Sequence, residues 1–184
     1  MKTTILPNEK ELREISDLPV ELALPEGVRY LARLVEDRAN LENGLWPLLP
    51  DSQGATDWYV ARRYEDADRT YSLQVFVWPP GTGTKVHDHS SWGVYRCVFG
   101  SVLEERYERL DDGSVPNHAR LKKAWQLSWS PEDGASTVLA GDGGIHQVRN
   151  LGNEVALTIH LYGPRMREAN GRDYDPSCDY VCDR

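Results

Sequence analysis

The spacing of hydrophobic residues differs between the first 50 residues and the rest of the chain. Within residues 1–50, apolar side chains recur at helical spacing between positions 28 and 39. Pro25 stands just before this run and predicts that the helix begins there, because proline is favoured in the first turn. A shorter helical segment is expected over residues 8–16. From Trp58 onward the period changes to two, which is typical of β-strands with one buried face.

Short alternating segments fill the rest of the chain, separated by turns rich in Gly, Asp, Asn and Pro. We expect strands at 57–64, 70–78, 85–89, 93–99, 102–109, 119–126, 137–140, 146–150 and 155–162. Many short strands at regular spacing predict a β-sandwich or barrel. The expected organisation is one domain over 1–184, with a helical segment (1–50), a β-barrel core (58–164) and a polar C-terminal wrap (165–184).

Composition limits the classes of partner. Hydrophobic residues make up 40% of the chain and charged residues 27%, as in ordinary soluble globular domains. The net charge of −8 argues against nucleic acids and anionic membranes, which carry negative charge themselves. Neither a membrane span of about 20 apolar residues nor a signal peptide is expected.

The cysteine content predicts a reducing, cytoplasmic location. Cys97, Cys178 and Cys182 are too few for a disulfide framework. Whether Cys178 and Cys182 pair or bind a metal stays open at this point.

The main candidate for chemistry is the segment His87-Asp88-His89. Two histidines at i and i+2 on a strand point to the same face, so their imidazoles can converge on one metal ion. A third histidine, His146, follows a glycine-rich segment over 141–144. Imidazole suits Fe, Zn, Cu and Ni alike, so the ligands alone leave the identity of the metal open.

A second candidate is the strictly alternating segment over 158–162. On a strand, Thr158, His160 and Tyr162 would share one face, with Ile and Leu on the other. A hydroxyl, an imidazole and a phenol in a row can form a hydrogen-bonded relay. The phenol of Tyr162 could then steady a bound thiolate or oxygen species.

The spacing of glycines and histidines resembles the two motifs of the cupin superfamily. This resemblance implies an all-β dominated fold, a double-stranded β-helix barrel with a small N-terminal helical segment. The metal-binding Glu of the first cupin motif falls on Gly93, and the usual Pro of the second falls on Gly141. The implied metal site therefore has three histidines and no carboxylate. Neutral imidazoles leave the charge of a divalent metal uncompensated, which favours anionic ligands, above all a thiolate.

Within that superfamily the chain resembles the thiol dioxygenases of the cysteine dioxygenase type, over about residues 58–164. The resemblance rests on His87-Asp88-His89 and on the segments 145–150 and 158–164. This family binds Fe(II) through three histidines and uses O2 to convert a thiol to a sulfinic acid. The resemblance implies the iron ligands His87, His89 and His146, and the relay Thr158, His160 and Tyr162, with Thr in place of the family's Ser.

The family commonly holds the substrate carboxylate with an arginine, whose planar fork matches a carboxylate. Arg62 is the best match, although its spacing departs from that of the mammalian enzymes. On a regular strand Arg63 would point the opposite way. Arg165, Arg167 and Arg172, just after the relay, are alternative or additional anchors.

Gly93 also bears on a covalent feature of the family. The mammalian enzymes cross-link a Cys to the relay Tyr, and the matching position here is Gly93. We therefore expect no thioether, and a buried core role for Cys97. Glycine at this position resembles the bacterial branch, which includes 3-mercaptopropionate and mercaptosuccinate dioxygenases. Gly163-Pro164 lies where the family often has a cis peptide, and both isomers stay open.

The resemblance implies an Fe(II)-dependent dioxygenase that oxidises a small carboxylate-bearing thiol, such as 3-mercaptopropionate, cysteine or mercaptosuccinate. Its partners would be the thiol and O2, and the protein would be a monomer or homodimer. Two alternatives remain: another metal-dependent cupin enzyme, such as a zinc isomerase or a non-thiol dioxygenase, and a non-catalytic cupin that binds a small ligand.

Overall fold

The computed structural model describes residues 7–49, 54–165 and 171–184. Three helices come first, followed by a π turn (Leu41–Leu45) and a 3-10 turn (Trp46–Leu48). The helices are α1 (Glu9–Ser16), α2 (Val20–Glu36) and α3 (Arg38–Asn40). The strands are β1 (Tyr59–Glu65), β2 (Ser72–Trp78), β3 (Val86–His87), β4 (Gly93–Phe99), β5 (Val102–Arg109), β6 (Leu121–Trp129), β7 (Ala135–Val138), β8 (His146–Arg149), β9 (Ala156–Tyr162), β10 (Arg172–Asp175) and β11 (Tyr180–Asp183).

The strands form two antiparallel sheets, in the orders β1-β2-β9-β4-β7 and β11-β10-β3-β8-β5-β6. Strand β9 has apolar side chains on one face and polar side chains on the other. Ile159 and Leu161 pack into the core that the helices share with the first sheet. A second core lies between the sheets, where Phe76 and Trp78 of the first meet Val102 and Val148 of the second. The polar face of β9 therefore looks into the barrel.

Helix α2 begins at Val20, earlier than the sequence predicted, and Pro25 lies inside it. A proline within a helix removes one backbone hydrogen bond and crowds the preceding turn. Here the turn before Pro25 is held by packing, because Ala23 is fully buried in the helix-side core. The prediction that the helix starts at Pro25 is wrong, since tertiary burial outweighs the local start signal.

The polar C-terminal segment adds the hairpin β10–β11 to the second sheet. Strand β10 pairs with β3, so that Asp173 lies opposite His87 and Tyr174 opposite Val86. The segment predicted to wrap over the barrel thus extends a sheet directly beside the first two histidines. The described residues contain no cis peptide bond, so Gly163-Pro164 is trans.

None of the helices in the described ranges is long and apolar enough to cross a membrane.

Candidate metal centre

The structure brings His87, His89 and His146 together. His87 on β3 and His146 on β8 are direct partners in the second sheet, and His89 follows β3. All three side chains are buried, and their candidate ligand nitrogens lie within 4.8 Å of one another. The Nε2 atoms of His89 and His146 are 2.9 Å apart. Residues that lie far apart in the sequence therefore form one cluster.

Hydrogen-bond partners determine which ring nitrogen faces the cluster. Nδ1 of His87 lies 2.9 Å from the Lys85 carbonyl oxygen, and Nδ1 of His146 lies 2.7 Å from Oε1 of Glu104. A carbonyl or carboxylate oxygen only accepts, so both Nδ1 atoms carry the proton and both Nε2 atoms present lone pairs. These two histidines therefore offer the metal a fixed tautomer.

Burial keeps the cluster neutral. It lowers the pKa of His87 to about 4, and it lowers the pKa values of His89 and His146 well below the ordinary histidine range. Neutral imidazole is the form that binds metals. The three side chains are thus ready to act as ligands at physiological pH.

The spacing of the nitrogens fits a metal ion. Two nitrogens bound to one ion at about 2.0–2.1 Å, with a right angle between the bonds, lie about 2.9 Å apart. This is the distance between Nε2 of His89 and Nε2 of His146. The same distance suits an N–H···N hydrogen bond, so these two nitrogens can share either a proton or a metal ion.

Thr158, His160 and Tyr162 form a continuous hydrogen-bonded chain. Oγ1 of Thr158 lies 2.7 Å from Nε2 of His160, and Nδ1 of His160 lies 3.0 Å from the Tyr162 hydroxyl. The indole of Trp78, which the sequence did not single out, donates to Oγ1 of Thr158 at 2.8 Å. An indole only donates, so Oγ1 of Thr158 accepts from Trp78, and in the tautomer of His160 that carries its proton on Nδ1 the Thr158 hydroxyl donates to Nε2 of that ring. His160 then donates to Tyr162, whose hydroxyl proton stays available to an acceptor in the barrel.

Tyr162 stands beside the metal cluster. Its ring stacks on that of His89, with centroids 5.5 Å apart. Burial raises the pKa of the Tyr162 phenol and lowers the pKa of His160 to about 3, so both groups are neutral. The relay therefore presents a neutral hydrogen-bond donor to whatever binds at the cluster.

Gly93 faces the ring of Tyr162. It pairs with Tyr162 across β4 and β9, and a Cβ at this position would lie 2.9 Å from Cδ1 of the tyrosine ring. Cys97 is buried further along the same strand, where its thiol donates to the Phe99 carbonyl at 3.4 Å.

Asp88, between the first two histidines, points away from the metal cluster. It is fully buried and accepts hydrogen bonds from Nε of Arg172 at 2.7 Å and from the Tyr174 hydroxyl at 2.8 Å. The backbone N–H of Arg172 donates to its second oxygen at 2.6 Å. Arg172, predicted as an alternative substrate anchor, is therefore bound to the protein itself.

A cavity of about 870 Å³ adjoins the three histidines and Tyr162. Among the described residues, its wall carries more basic than acidic groups, although the whole chain is acidic. The charged residues of the wall are Arg63, Arg69, Lys85, Arg165 and Arg184, with Asp57, Glu65 and Asp173. The wall reverses the sign of the protein's overall charge, which suits an anionic ligand.

Arg62 does not reach this wall, and Arg63 does. A bulge in β1 between Val60 and Arg62 pairs Arg62 with Val75, which belongs to the helix-side core. Arg63 pairs with Gln74, which lines the cavity. The family resemblance favours Arg62, but the extra residue of the bulge exchanges the two faces of the strand after Val60 and turns Arg63 toward the cavity.

The structure describes only one of the two remaining arginines predicted to bind substrate. Arg165 lines the cavity as expected, whereas Arg167 lies outside the described residues. Arg184, which the sequence did not indicate, also lines the cavity, and its guanidinium donates to the Asp88 carbonyl oxygen at 2.5 Å.

A family model, cysteine dioxygenase type I, matches residues 55–175, more than half of the chain. The chain belongs to the cysteine dioxygenase type I family. Together with the histidine cluster, this membership makes the protein a metal-dependent cupin and an oxidoreductase of the dioxygenase kind. The two antiparallel sheets and the family match confirm the predicted cupin β-barrel with a small helical part.

Solved structures resemble this cysteine dioxygenase family member more distantly. TT1209 from Thermus thermophilus is 24% identical, with a TM-score of 0.40, over 57% of this chain and 84% of that one. The cupin domain of an XRE family transcriptional regulator from Enterobacter cloacae is 12% identical, with a TM-score of 0.42, over 59% and 98%. An oxalate oxidase in complex with glycolate is 15% identical, with a TM-score of 0.46, over 61% and 54%.

Proposed function

We propose that the protein is an Fe(II)-dependent dioxygenase that oxidises a small carboxylate-bearing thiol to its sulfinic acid. The observation that carries the proposal is the all-histidine cluster with the Tyr162 hydroxyl beside it, in a member of this family. The substrate sulfur loses four electrons and O2 gains four, so both oxygen atoms end on sulfur and no further reductant is needed.

The ligand set favours a thiol substrate. Three imidazoles leave coordination positions open and supply no negative charge as direct ligands, so an anionic thiolate is preferred. Iron bound by His87, His89 and His146 would supply the redox chemistry that activates O2 and would lower the pKa of the thiol. Thr158 and His160 would hold Tyr162 so that its hydroxyl donates to the substrate or to oxygen.

The cavity wall supports a carboxylate on the substrate. Arg63 projects from β1, and its nearest polar contacts are long, with Gln74 at 3.4 Å and Glu65 at 3.7 Å. Such weak contacts leave the guanidinium able to donate two hydrogen bonds to a carboxylate in a bidentate pair. Arg63 therefore replaces Arg62 as the proposed carboxylate anchor, with Arg165 as a second cation in the wall.

The direct test measures O2 uptake by the Fe(II)-loaded protein with L-cysteine, 3-mercaptopropionate, mercaptosuccinate and cysteamine. We expect one O2 consumed per sulfinate formed with at least one of the carboxylate-bearing thiols. Cysteamine, which lacks a carboxylate, should be oxidised poorly. Absence of O2 uptake with every thiol would overturn the proposal and favour a binding cupin or a different cupin enzyme.

Replacing Arg63 with methionine should weaken the use of carboxylate-bearing thiols. Loss of a hydrogen-bonded charge pair of about 1.5–3 kcal/mol corresponds to a roughly 10- to 150-fold fall in kcat/KM. The matched control is Arg62→Met, the same change on the opposite face of the same strand, which should leave kcat/KM within about threefold because Arg62 does not line the cavity. The reverse ranking of the two variants would refute the anchor.

Replacing Tyr162 with phenylalanine should lower kcat while leaving the metal content unchanged. The change removes the hydroxyl that His160 orients but keeps the ring stacked on His89. Loss of one hydrogen bond to a charged group predicts a roughly 10- to 100-fold effect. The exposed Tyr180 supplies the control variant Tyr180→Phe, and an unchanged kcat in Tyr162→Phe would exclude a role for the phenol.

A further inference from the structure

The metal site lacks a carboxylate only among its direct ligands. Glu104 on β5 is 0% exposed, and its Oε1 atom lies 2.7 Å from Nδ1 of His146. The neighbouring Glu105 points to the opposite side of the strand, where it forms ion pairs with Lys123 and Arg149. The alternation of β5 thus directs one of two adjacent glutamates at a metal ligand.

Glu104 is surrounded by donors alone. Its Oε1 accepts from Nδ1 of His146 and from Nε of Arg106, the latter at 2.6 Å. Its Oε2 accepts from the Trp129 indole at 2.9 Å and from the Ser136 hydroxyl at 2.7 Å. An ionised carboxylate offers about four acceptor positions, and all four are filled.

The simplest structural role for Glu104 is to neutralise Arg106. Its contact with His146 goes beyond that role. Arg106 has further acceptors of its own, the Ser136 hydroxyl at 3.0 Å and the Thr137 carbonyl oxygen at 2.5 Å. Across the sheet, Arg106 pairs in register with His146. Glu104 is therefore held by Arg106, Trp129 and Ser136 in the one position from which it reaches His146.

We propose that Glu104 is a positioning residue for the metal. By accepting the Nδ1 proton of His146, it orients the Nε2 lone pair toward the cluster and supplies, through the imidazole, the negative charge that the three direct ligands lack. A carboxylate behind a histidine ligand makes the imidazole a stronger donor, and losing such a partner costs about 10- to 100-fold in metal affinity. The inference rests on the proposed function only in taking the three histidines as the metal site.

The experiment titrates Fe(II) anaerobically into the full chain and measures the Fe(III)/Fe(II) potential of the loaded protein. Glu104→Gln should weaken Fe(II) binding about 10- to 100-fold and raise the potential, because charge that stabilises Fe(III) is removed. Glu105→Gln is the matched control, since it removes the same charge from the adjacent position without touching a ligand. It should leave affinity and potential near those of the wild type.

Several outcomes decide the matter. Wild-type affinity and potential in Glu104→Gln would overturn the proposal, as would equal losses in Glu104→Gln and Glu105→Gln, which would mark a general effect of charge or folding. A wild-type protein that binds no divalent metal would overturn both this inference and the proposed function. Weaker metal binding in Glu104→Gln alone, in a protein that oxidises no thiol, would support the inference and reject the proposed function.

A measurement on the unaltered protein guards against a Glu104→Gln variant that does not fold. In the Zn²⁺-loaded wild type, nuclear magnetic resonance should show a slowly exchanging Nδ1 proton on His146, shifted downfield by its carboxylate partner. An Nδ1 proton on His146 that exchanges as fast as a ring proton of His118, which lies in a surface loop, would overturn the proposal.

Discussion

Replacing His146 with alanine is expected to abolish metal binding and, with it, thiol-dependent O2 uptake. The change removes one of three converging nitrogens and also leaves Glu104 buried without its histidine partner. Losing a residue that hydrogen-bonds to a metal ligand lowers metal affinity about 10- to 100-fold. The loss of Fe(II) affinity in His146→Ala should be larger, because a direct ligand is lost. Metal content after reconstitution, an anaerobic Fe(II) titration and O2 uptake measure the effect.

His118 provides the matched control for this prediction. It lies outside the cluster, and its backbone bridges to Tyr180. The variant His118→Ala should keep the metal content and O2 uptake of the wild type. A protein with His146→Ala that still binds one Fe(II) with unchanged affinity would show that His146 is not a ligand, whatever its activity.

Strand periodicity explains why so much of the site could be predicted from the sequence. Side chains at i and i+2 share a face whatever the strand packs against. Thr158, His160 and Tyr162 could therefore be placed together before any sheet order was known, and the hydrogen bonds between them follow from that placement. The cluster of His87 with His146 needed the family resemblance as well, because nothing local states that β3 and β8 are neighbours.

The choice between Arg62 and Arg63 shows where such prediction fails. Alternation places every second side chain on the same face only while the strand stays regular. A single bulge moves the following side chains to the opposite face. The bulge in β1 arises from its pairing with β2. No glycine or proline within β1 marks it in the sequence, so local composition gave no sign of it.

Glu104 shows what alternation alone leaves open. Each face of the predicted strand 102–109 carries one of the two adjacent glutamates, Glu104 with Val102 or Glu105 with Leu103. Both glutamates are buried in the structure, where an unpaired charge is costly. Only the fold shows that Glu104 is the one that reaches His146.

Replacing Asp88 with alanine is expected to cost about 3–5 kcal/mol of folding free energy, the usual effect of removing one member of a buried ion pair. The carboxylate holds Arg172 by its backbone N–H and its guanidinium, and it also accepts from Tyr174. Without it, the hairpin β10–β11 loses three hydrogen bonds that join it to the segment between His87 and His89. Urea unfolding with the metal removed measures the loss of stability.

Asp142 is the appropriate comparison, because it binds the same guanidinium of Arg172 at 2.6 Å with a side chain that is 52% exposed. Exposed ion pairs contribute about 0–1 kcal/mol, so the free energy of unfolding of Asp142→Ala should be close to that of the wild type. Equal destabilisation by the two variants would mean that burial of the Asp88 contact is not what matters. A larger loss in Asp88→Ala, together with weaker Fe(II) binding, would instead mean that the C-terminal hairpin fixes the position of the two histidines on either side of Asp88.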